Sequence, residues 1–177
     1  TPVAINLSGR SVSDTMLGSV IARQIEECKV DPSRLRFEIT ESVAIANLPA
    51  ARKLVGDLSS LGCLVSLDDF GTGYGSFTYL KNLPVDEIKI DASFVQDLTT
   101  DQASRRVVDS LVSVAQNFSM AIVAEGIEDE ATQLAVRDLG IELAQGFHLG
   151  RPVPLEVFAP GIDPPEATRS PPSTPNP

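Results

Sequence analysis

The chain has 177 residues, of which 42% are hydrophobic and 21% charged, a composition typical of a globular protein with a sizeable core. Its 14 basic and 24 acidic side chains give a formal net charge of −10, which argues against broad electrostatic binding to DNA or to an anionic membrane. Two cysteines without a zinc or disulfide pattern, no apolar stretch near the roughly 18 residues of a membrane span, and no signal peptide predict a cytoplasmic protein.

Six short apolar segments with strand character follow one another along the chain: 3–8, 35–40, 63–68, 87–91, 121–125 and 142–146. Helical periodicity separates most of them, and its apolar faces cover 17–28, 54–61 and 107–115. Gly62 and Gly140 stand where helices would end before the next strand. Strands that alternate with helices predict a parallel sheet, either an open doubly wound sheet or a barrel.

The two faces of the predicted strands differ in polarity, because successive side chains point to opposite faces. One face is apolar and should meet the helices; it includes Val3, Ile5, Phe37, Ile39, Val65, Leu67, Ile88 and Ile90. The other face is polar toward the C-terminal strand ends; it carries Asn6, Glu38, Asp68, Glu87, Lys89, Asp91, Glu125 and Gln145. An open sheet covered by helices on both faces has no use for a polar face. We therefore predict an α/β fold of the TIM-type (β/α)₈ barrel class, with the polar groups at its C-terminal rim.

A complete barrel of this kind takes about 250 residues, and only six strands are visible here. We therefore expect residues 1–159 to form a partial barrel that is truncated at the N-terminus and lacks two strands. Proline, serine and threonine crowd residues 160–177, and proline disfavours both helix and sheet. This last segment is predicted to be a disordered tail.

Five residues of the polar rim are candidate metal ligands, and all of them would bind through oxygen: Asn6, Glu38, Asp68, Asp69 and Glu125. Carboxylate and amide oxygens suit Mg²⁺ or Mn²⁺ better than Zn²⁺ or copper. Four carboxylates that converge on one barrel mouth could not all stay ionised without cations. Two divalent cations would neutralise them, and two-metal sites stabilise the attacking and leaving oxygens of phosphoryl displacements.

Each of these residues also has a purely structural interpretation. Asn6 could cap a turn, and Glu38 could pair with Arg36. The adjacent carboxylates Asp68 and Asp69 could cap the helix that follows them. Their convergence from different strands is what favours a site.

Lys89 and Gln145 of the polar face, and Glu128 three residues beyond Glu125, are further candidates. Lys89 lies between Glu87 and Asp91 on the same strand face, so it could form an ion pair inside the barrel or hold a water or a phosphate oxygen. Glu128 could simply be an acidic residue of a first helical turn. Gln145 offers both a donor and an acceptor, which suits a nucleobase edge.

Six motifs, in this order and spacing, resemble those of EAL-domain proteins: INLS, FEITES, SLDDFGTGYGS, EIKIDASFV, VAEGIED and AQGFHLGRP. The resemblance covers residues 1 to 158. It implies a TIM-barrel phosphodiesterase of bacterial second-messenger signalling, which hydrolyses cyclic di-GMP to linear pGpG by attack of a metal-activated water. It also implies two Mg²⁺ or Mn²⁺ ions, a homodimer in the full-length protein, and an upstream sensory or GGDEF domain.

The resemblance assigns roles to individual positions of this sequence. It implies Asn6, Glu38, Asp68, Asp69 and Asp91 as metal ligands, Lys89 and Glu125 as catalytic residues, Gln145 and Glu128 as substrate-binding residues, and Glu41 as the anchor of the loop that carries DDFGTGYGS.

Two departures from the family pattern qualify these assignments. The Glu-Ala-Leu motif that names the family does not occur in the chain, so its metal-binding glutamate and a nearby phosphate-binding arginine would lie upstream of Thr1. Gly75 also replaces a serine that is usual in the family. We therefore expect an active parent protein and a doubtful activity of the isolated chain. A cyclic di-GMP receptor without catalysis and an unrelated metal-dependent barrel lyase remain the alternatives.

Overall fold

The computed structural model describes residues 2–73, 77–154 and 157, and the strands in it form one six-stranded parallel sheet in sequence order. The strands are β1 (Val3–Asn6), β2 (Leu35–Thr40), β3 (Leu64–Phe70), β4 (Glu87–Ile90), β5 (Ala121–Ala124) and β6 (Leu143–Ala144). Each pairs in parallel with the next along the chain. The six predicted strands are thereby confirmed, with small differences at their ends.

Helices connect the strands on one side of the sheet. They are α1 (Gly9–Val12), α2 (Leu17–Cys28), α3 (Glu41–Ala46), α4 (Leu48–Ser60), α5 (Ala92–Gln96), α6 (Gln102–Asn117) and α7 (Glu130–Asp138), with short 3₁₀ helices at Pro32–Arg34 and Phe77–Asn82. Gly62 and Gly140 follow α4 and α7 with φ angles of 87° and 77°, the left-handed conformation that ends a helix. Residues with a Cβ adopt this conformation less readily than glycine, so the two glycines favour the turn from each helix into the next strand.

The core lies between the convex face of the sheet and the helices. Phe37, Ile39, Val65, Leu67 and Ile88 are all buried there, as the strand pattern predicts. Helix α4 packs against β3, and α6 packs against β4 and β5. Burial of each large apolar side chain stabilises the fold by roughly 1.5–3 kcal/mol.

The prediction that this face is covered throughout is wrong for β1. Val3 and Ile5 are 54% and 36% exposed. The reason is that β1 lies at an edge of the described sheet, where α2 covers it incompletely. An apolar groove of about 330 Å³ runs between β1, β2 and α2.

The opposite face of the sheet is concave and polar. A cleft of about 280 Å³ is lined by Ala4 of β1 and by Ala144 of β6, together with Glu38, Glu87 and Lys89 from strands between them. Since both edge strands border one cleft, the sheet curls as barrel sheets do. The TIM-type fold class is therefore confirmed.

Some expectations fall outside the described residues. Gly75 and the predicted tail at 160–177 lie outside them. Within the described part, no helix combines the length and the apolar character that a membrane crossing needs.

Candidate active site

A β-bulge at the end of β3 places two neighbouring carboxylates in the site. Leu67 pairs with Ile88 and Phe70 with Ile90, so three steps along β3 face two steps along β4. One residue is therefore inserted into β3, and Asp69 has a left-handed φ of 53°. In a regular strand Asp68 and Asp69 would point to opposite faces. The bulge allows both to face the site and returns Phe70 to the core, where it is fully buried.

Asp68, Asp69 and Glu125 form the densest acidic cluster in the described residues. One carboxylate oxygen from each of the three lies within 4.8 Å of the others. Burial, followed by the charges of Asp68 and Asp91, raises the pKa of Asp69. Burial also raises the pKa of Glu125, although its hydrogen bond to Lys89 opposes this effect. Burial is therefore the main reason that both carboxyl groups hold their protons more tightly than they would in water.

Lys89 projects from β4 into the middle of this acidic cluster and is only 5% exposed. Its Nζ lies 2.7 Å from Glu125 Oε1, 3.0 Å from Asp68 Oδ1 and 3.2 Å from Glu38 Oε2. Burial alone would lower the pKa of Lys89, but the hydrogen bonds to Glu125 and Asp68 outweigh burial and raise it. Lys89 is thus an ammonium group at neutral pH, and it can donate protons in hydrogen bonds but cannot act as a base.

The sequence suggested Glu87 and Asp91 as partners of Lys89, and the structure gives them other partners. Glu87 is 1% exposed, accepts a hydrogen bond of 2.7 Å from Ser66 Oγ, and lies 3.0 Å from Arg36 Nη1. Asp91 caps α5 through the backbone N–H and the hydroxyl of Ser93. Side chains two apart on one strand are about 7 Å apart, farther than those on adjacent strands, so Lys89 pairs across strands instead.

Arg36 therefore pairs with Glu87 and not with Glu38. The interpretation of Glu38 as a partner of Arg36 is wrong. The Arg36–Glu87–Ser66 group lies one layer deeper in the concave face than Glu38 and Lys89, because its charged residues precede these by two positions. Its ion pair places a positive charge beside a buried carboxylate, separately from the acidic cluster above it, while Glu87 Oε2 and Arg36 Nε have no hydrogen-bond partner among the described residues.

Glu41 follows β2 directly and contacts the backbone after Asp69. Its carboxylate is 1% exposed, and Oε2 accepts hydrogen bonds of 3.0 Å and 3.2 Å from the N–H groups of Gly71 and Gly73. Tyr79 donates its hydroxyl to Oε1 at 2.7 Å. A Cβ on Gly73 would lie 3.1 Å from this carboxylate, so glycine permits the close approach. Loop residues on both sides of 74–76 thereby share one buried acceptor.

A second, open cleft of about 610 Å³ adjoins the acidic cluster and is lined by Glu128, Gln145, Phe147 and Arg151, among others. Gln145 Nε2 donates a hydrogen bond of 2.6 Å to Glu125 Oε1, which joins the cleft to the cluster. Glu128 accepts from Gln96 at 3.2 Å and is exposed. The guanidinium carbon of Arg151 lies 4.8 Å from the centre of the Phe147 ring. The cleft therefore presents polar groups beside an aromatic surface, and sequence reasoning overlooked Phe147 and Arg151.

Asn6 ends β1 and is aligned with Glu38 of β2 in the strand register. Its side chain is exposed at the same edge as the cluster. Asn6 and Asp91 thus lie at the C-terminal strand ends, and their roles as ligands stay predictions.

The chemistry of these donors fits divalent cations. They are oxygen atoms, and one carboxylate oxygen from each of three of these residues lies within 4.8 Å of the others. Oxygen donors of high negative charge are the ligands preferred by Mg²⁺ and Mn²⁺. The residues that could hold such ions are Asn6, Glu38, Asp68, Asp69, Asp91 and Glu125.

The fold and the site define a class: a parallel barrel-type α/β protein with an acidic cluster around a buried lysine at the C-terminal strand ends. Comparison with known proteins gives the family, since the profile of the EAL domain matches residues 1–152. The chain belongs to the EAL domain family.

Individual relatives agree with this assignment. The chain is 39% identical over 154 residues to the bifunctional diguanylate cyclase/cyclic di-GMP phosphodiesterase MucR of Pseudomonas aeruginosa, covering 87% of this chain and 22% of MucR. It is 38% identical over 152 residues to the cyclic di-GMP phosphodiesterase PdeF of Escherichia coli, covering 86% of this chain and 20% of PdeF. The solved cyclic di-GMP complex of the PaMucR phosphodiesterase superposes with a TM-score of 0.84 at 38% identity, over 89% of this chain and 64% of that chain. The chain thus spans about a fifth of the length of these curated relatives.

Proposed function

We propose that this chain supplies most of the active site of a metal-dependent phosphodiesterase that hydrolyses cyclic di-GMP to linear pGpG. The observation that carries the proposal is the cluster of Asp68, Asp69 and Glu125 around the Lys89 ammonium, within the residues that match the EAL domain. The names of MucR and PdeF support the reaction and its substrate.

Hydrolysis requires that water form a bond to one phosphorus while the bond from that phosphorus to a ribose oxygen breaks. The leaving ribose oxygen takes up a proton, and the product is linear. When bound, two divalent cations supply the Lewis acidity that stabilises the attacking and leaving oxygens. We assign the holding of these cations to Asn6, Glu38, Asp68, Asp69 and Asp91.

The remaining groups bind and orient the reactants. The Lys89 ammonium donates hydrogen bonds to the attacking water or to a phosphate oxygen, and Glu125 holds that ammonium and accepts from Gln145. Gln145 and Glu128 border the adjoining cleft, so we assign them to the dinucleotide. A homodimer and an upstream sensory or GGDEF domain belong to the same proposal, and the greater length of the relatives supports further domains.

The direct test is an assay of cyclic di-GMP hydrolysis by the full gene product that contains these residues. We expect turnover with Mg²⁺ or Mn²⁺ and none in EDTA. Ca²⁺ should bind without supporting turnover, because its coordination is larger and less regular. Full turnover in EDTA would contradict the metal dependence. Tight nucleotide binding without turnover under every metal would favour the receptor alternative.

The pH dependence of cation binding gives a further prediction. Cations bind the ionised carboxylates, and protons compete more strongly at Asp69 and Glu125 because burial raises their pKa values above the ordinary 3.8 and 4.5. The affinity for Mn²⁺ should therefore begin to fall at a higher pH than these ordinary values would give. Isothermal titration across a pH series measures it, and Asp69→Asn should shift the midpoint to lower pH. An affinity that is constant down to the ordinary carboxylate pKa would contradict this expectation.

Glu41→Ala should weaken cation activation even though Glu41 lies outside the set of proposed ligands. The substitution removes the acceptor of two partly buried hydrogen bonds, those from the N–H groups of Gly71 and Gly73, and a hydrogen bond to a charged group contributes about 1.5–3 kcal/mol. We expect the Mg²⁺ concentration for half-maximal turnover to rise by about tenfold or more. Glu130→Ala is the matched control, because Glu130 also begins a helix but is exposed. Unchanged Mg²⁺ activation in Glu41→Ala would remove the role of loop anchor.

A further inference from the structure

The buried Glu41 carboxylate holds two separate stretches of the chain. Oε2 accepts from Gly71 and Gly73, which follow the bulge of Asp69 within four residues. Oε1 accepts from the Tyr79 hydroxyl in the 3₁₀ helix Phe77–Asn82. The Glu41 carboxylate is therefore contacted both by the backbone that follows Asp69 and by the 3₁₀ helix.

A second contact joins the same two stretches. The rings of Phe70, at the end of β3, and Phe77, at the start of the 3₁₀ helix, lie 5.4 Å apart between centroids with planes inclined at 32°. This tilted geometry is favourable for aromatic pairs. Phe70 is fully buried, so the aromatic pair is anchored in the core. The aromatic contact is apolar and does not involve Glu41, so the orientation of the Glu41 carboxylate depends on its hydrogen bonds.

Tyr79 controls that orientation on the Oε1 side. Within the described residues, its hydroxyl is the donor that the structure gives to Oε1, at 2.7 Å, and the Tyr79 side chain is buried. Burial, then the hydrogen bond and the charge of Glu41, raise the pKa of Tyr79 far above its ordinary value, so the phenol remains a donor at every physiological pH. A carboxylate that loses this donor can rotate, and its bonds to the two glycines then lengthen.

We propose that Tyr79 is a positioning residue for Asp68 and Asp69, which acts through Glu41 and thereby sets the concentration of divalent cation that the site requires. The Tyr79 hydroxyl, the Glu41 carboxylate and the N–H groups of Gly71 and Gly73 form one clamp on the backbone that follows the acidic pair. The inference rests on the proposed function for its catalytic consequence, and the clamp itself is independent of it.

The test is Tyr79→Phe, which removes one oxygen and keeps the ring. Amide hydrogen exchange followed by NMR on the cation-free protein should show protection of Gly71 and Gly73 reduced about tenfold, while Ile88 and Ile90 of β4 change much less. On the full gene product, the Mn²⁺ concentration for half-maximal hydrolysis should rise about tenfold, with turnover at saturating Mn²⁺ close to that of the wild type.

Ser66→Ala is the matched control, because it also removes a hydroxyl that donates at 2.7 Å to a buried carboxylate, that of Glu87. It should lower Tm to a similar degree and leave the exchange of Gly71 and Gly73 and the Mn²⁺ requirement unchanged. Unchanged exchange of the two glycines in Tyr79→Phe, or an equal loss of protection throughout β4, would overturn the clamp. A wild-type protein that neither binds Mn²⁺ nor hydrolyses cyclic di-GMP would overturn the proposed function instead, and the exchange result would still decide on the clamp.

Discussion

Replacing Asp68 by asparagine is expected to reduce cyclic di-GMP hydrolysis by roughly a thousandfold or more, because one ligand charge disappears at the centre of the acidic cluster. Asparagine has nearly the same volume, and Lys89 keeps Glu38 and Glu125 as partners. The loss of one buried ion-pair partner is offset in part by weaker repulsion from Asp69. We therefore expect Tm of the cation-free protein to change by only about 2–4 °C, equivalent to roughly 1 kcal/mol.

Two measurements on the same preparation check this expectation: kcat/KM at saturating Mn²⁺ and Tm without cations. Asp101→Asn is the control, because Asp101 caps α6 at an exposed position and asparagine caps helices about equally well. It should leave both quantities unchanged. Turnover of Asp68→Asn within tenfold of the wild type would show that Asp68 holds no essential cation.

Substitution of Lys89 by alanine should lower kcat by about a hundredfold to a ten-thousandfold, with little change in KM, if the ammonium orients the water or phosphate in the transition state. The same change leaves three carboxylates without their common counter-charge, and breaking a buried pair typically costs about 3–5 kcal/mol. The cation-free variant should thus also melt at a lower temperature. Saturating Mn²⁺ should restore much of Tm without restoring kcat.

Arg36→Met tests whether the loss of a buried basic side chain lowers stability alone or also lowers kcat. Arg36 pairs with Glu87 in the deeper layer of the same concave face. We expect it to lower Tm and to keep kcat near that of the wild type. If Lys89→Ala, measured with Mn²⁺, likewise lost only stability, Lys89 would be an ion pair inside the barrel and nothing more.

The strands and the fold class could be predicted because their signal is local. Alternation in LRFEIT and in the EIKID segment places Glu38 and Lys89 on the face opposite Phe37 and Ile88, and the structure has them so. Helices α3 and α5 were not predicted, because five or six residues are too few for an apolar period. In the structure, Thr40 and Asp91 cap these helices by accepting from backbone N–H groups three and two residues later.

The sequence pointed to Asp68, Asp69, Glu125 and Lys89, which the structure brings together, but it could not give their contacts. Nothing in SLDDF indicates that β3 contains a bulge, which depends on the register of β3 against β4. The partners of Lys89 come from β2, β3 and the end of β5, so they are fixed by sheet packing rather than by sequence spacing. The phenol of Tyr79 lies 38 positions from the carboxylate that it contacts, and no local pattern links them.

The left-handed backbone of Asp69 limits how this site can change during evolution. Glycine and asparagine adopt a φ of 53° most readily, and neither carries a charge, whereas glutamate, the other acidic residue, adopts it less readily than aspartate. The substitutions at position 69 that avoid backbone strain therefore replace the carboxylate by an uncharged residue. Relatives that have lost cation binding should accordingly accumulate Asn or Gly at position 69 before they lose the fold. A homologue with either residue there is expected to keep the fold and to bind cations more weakly.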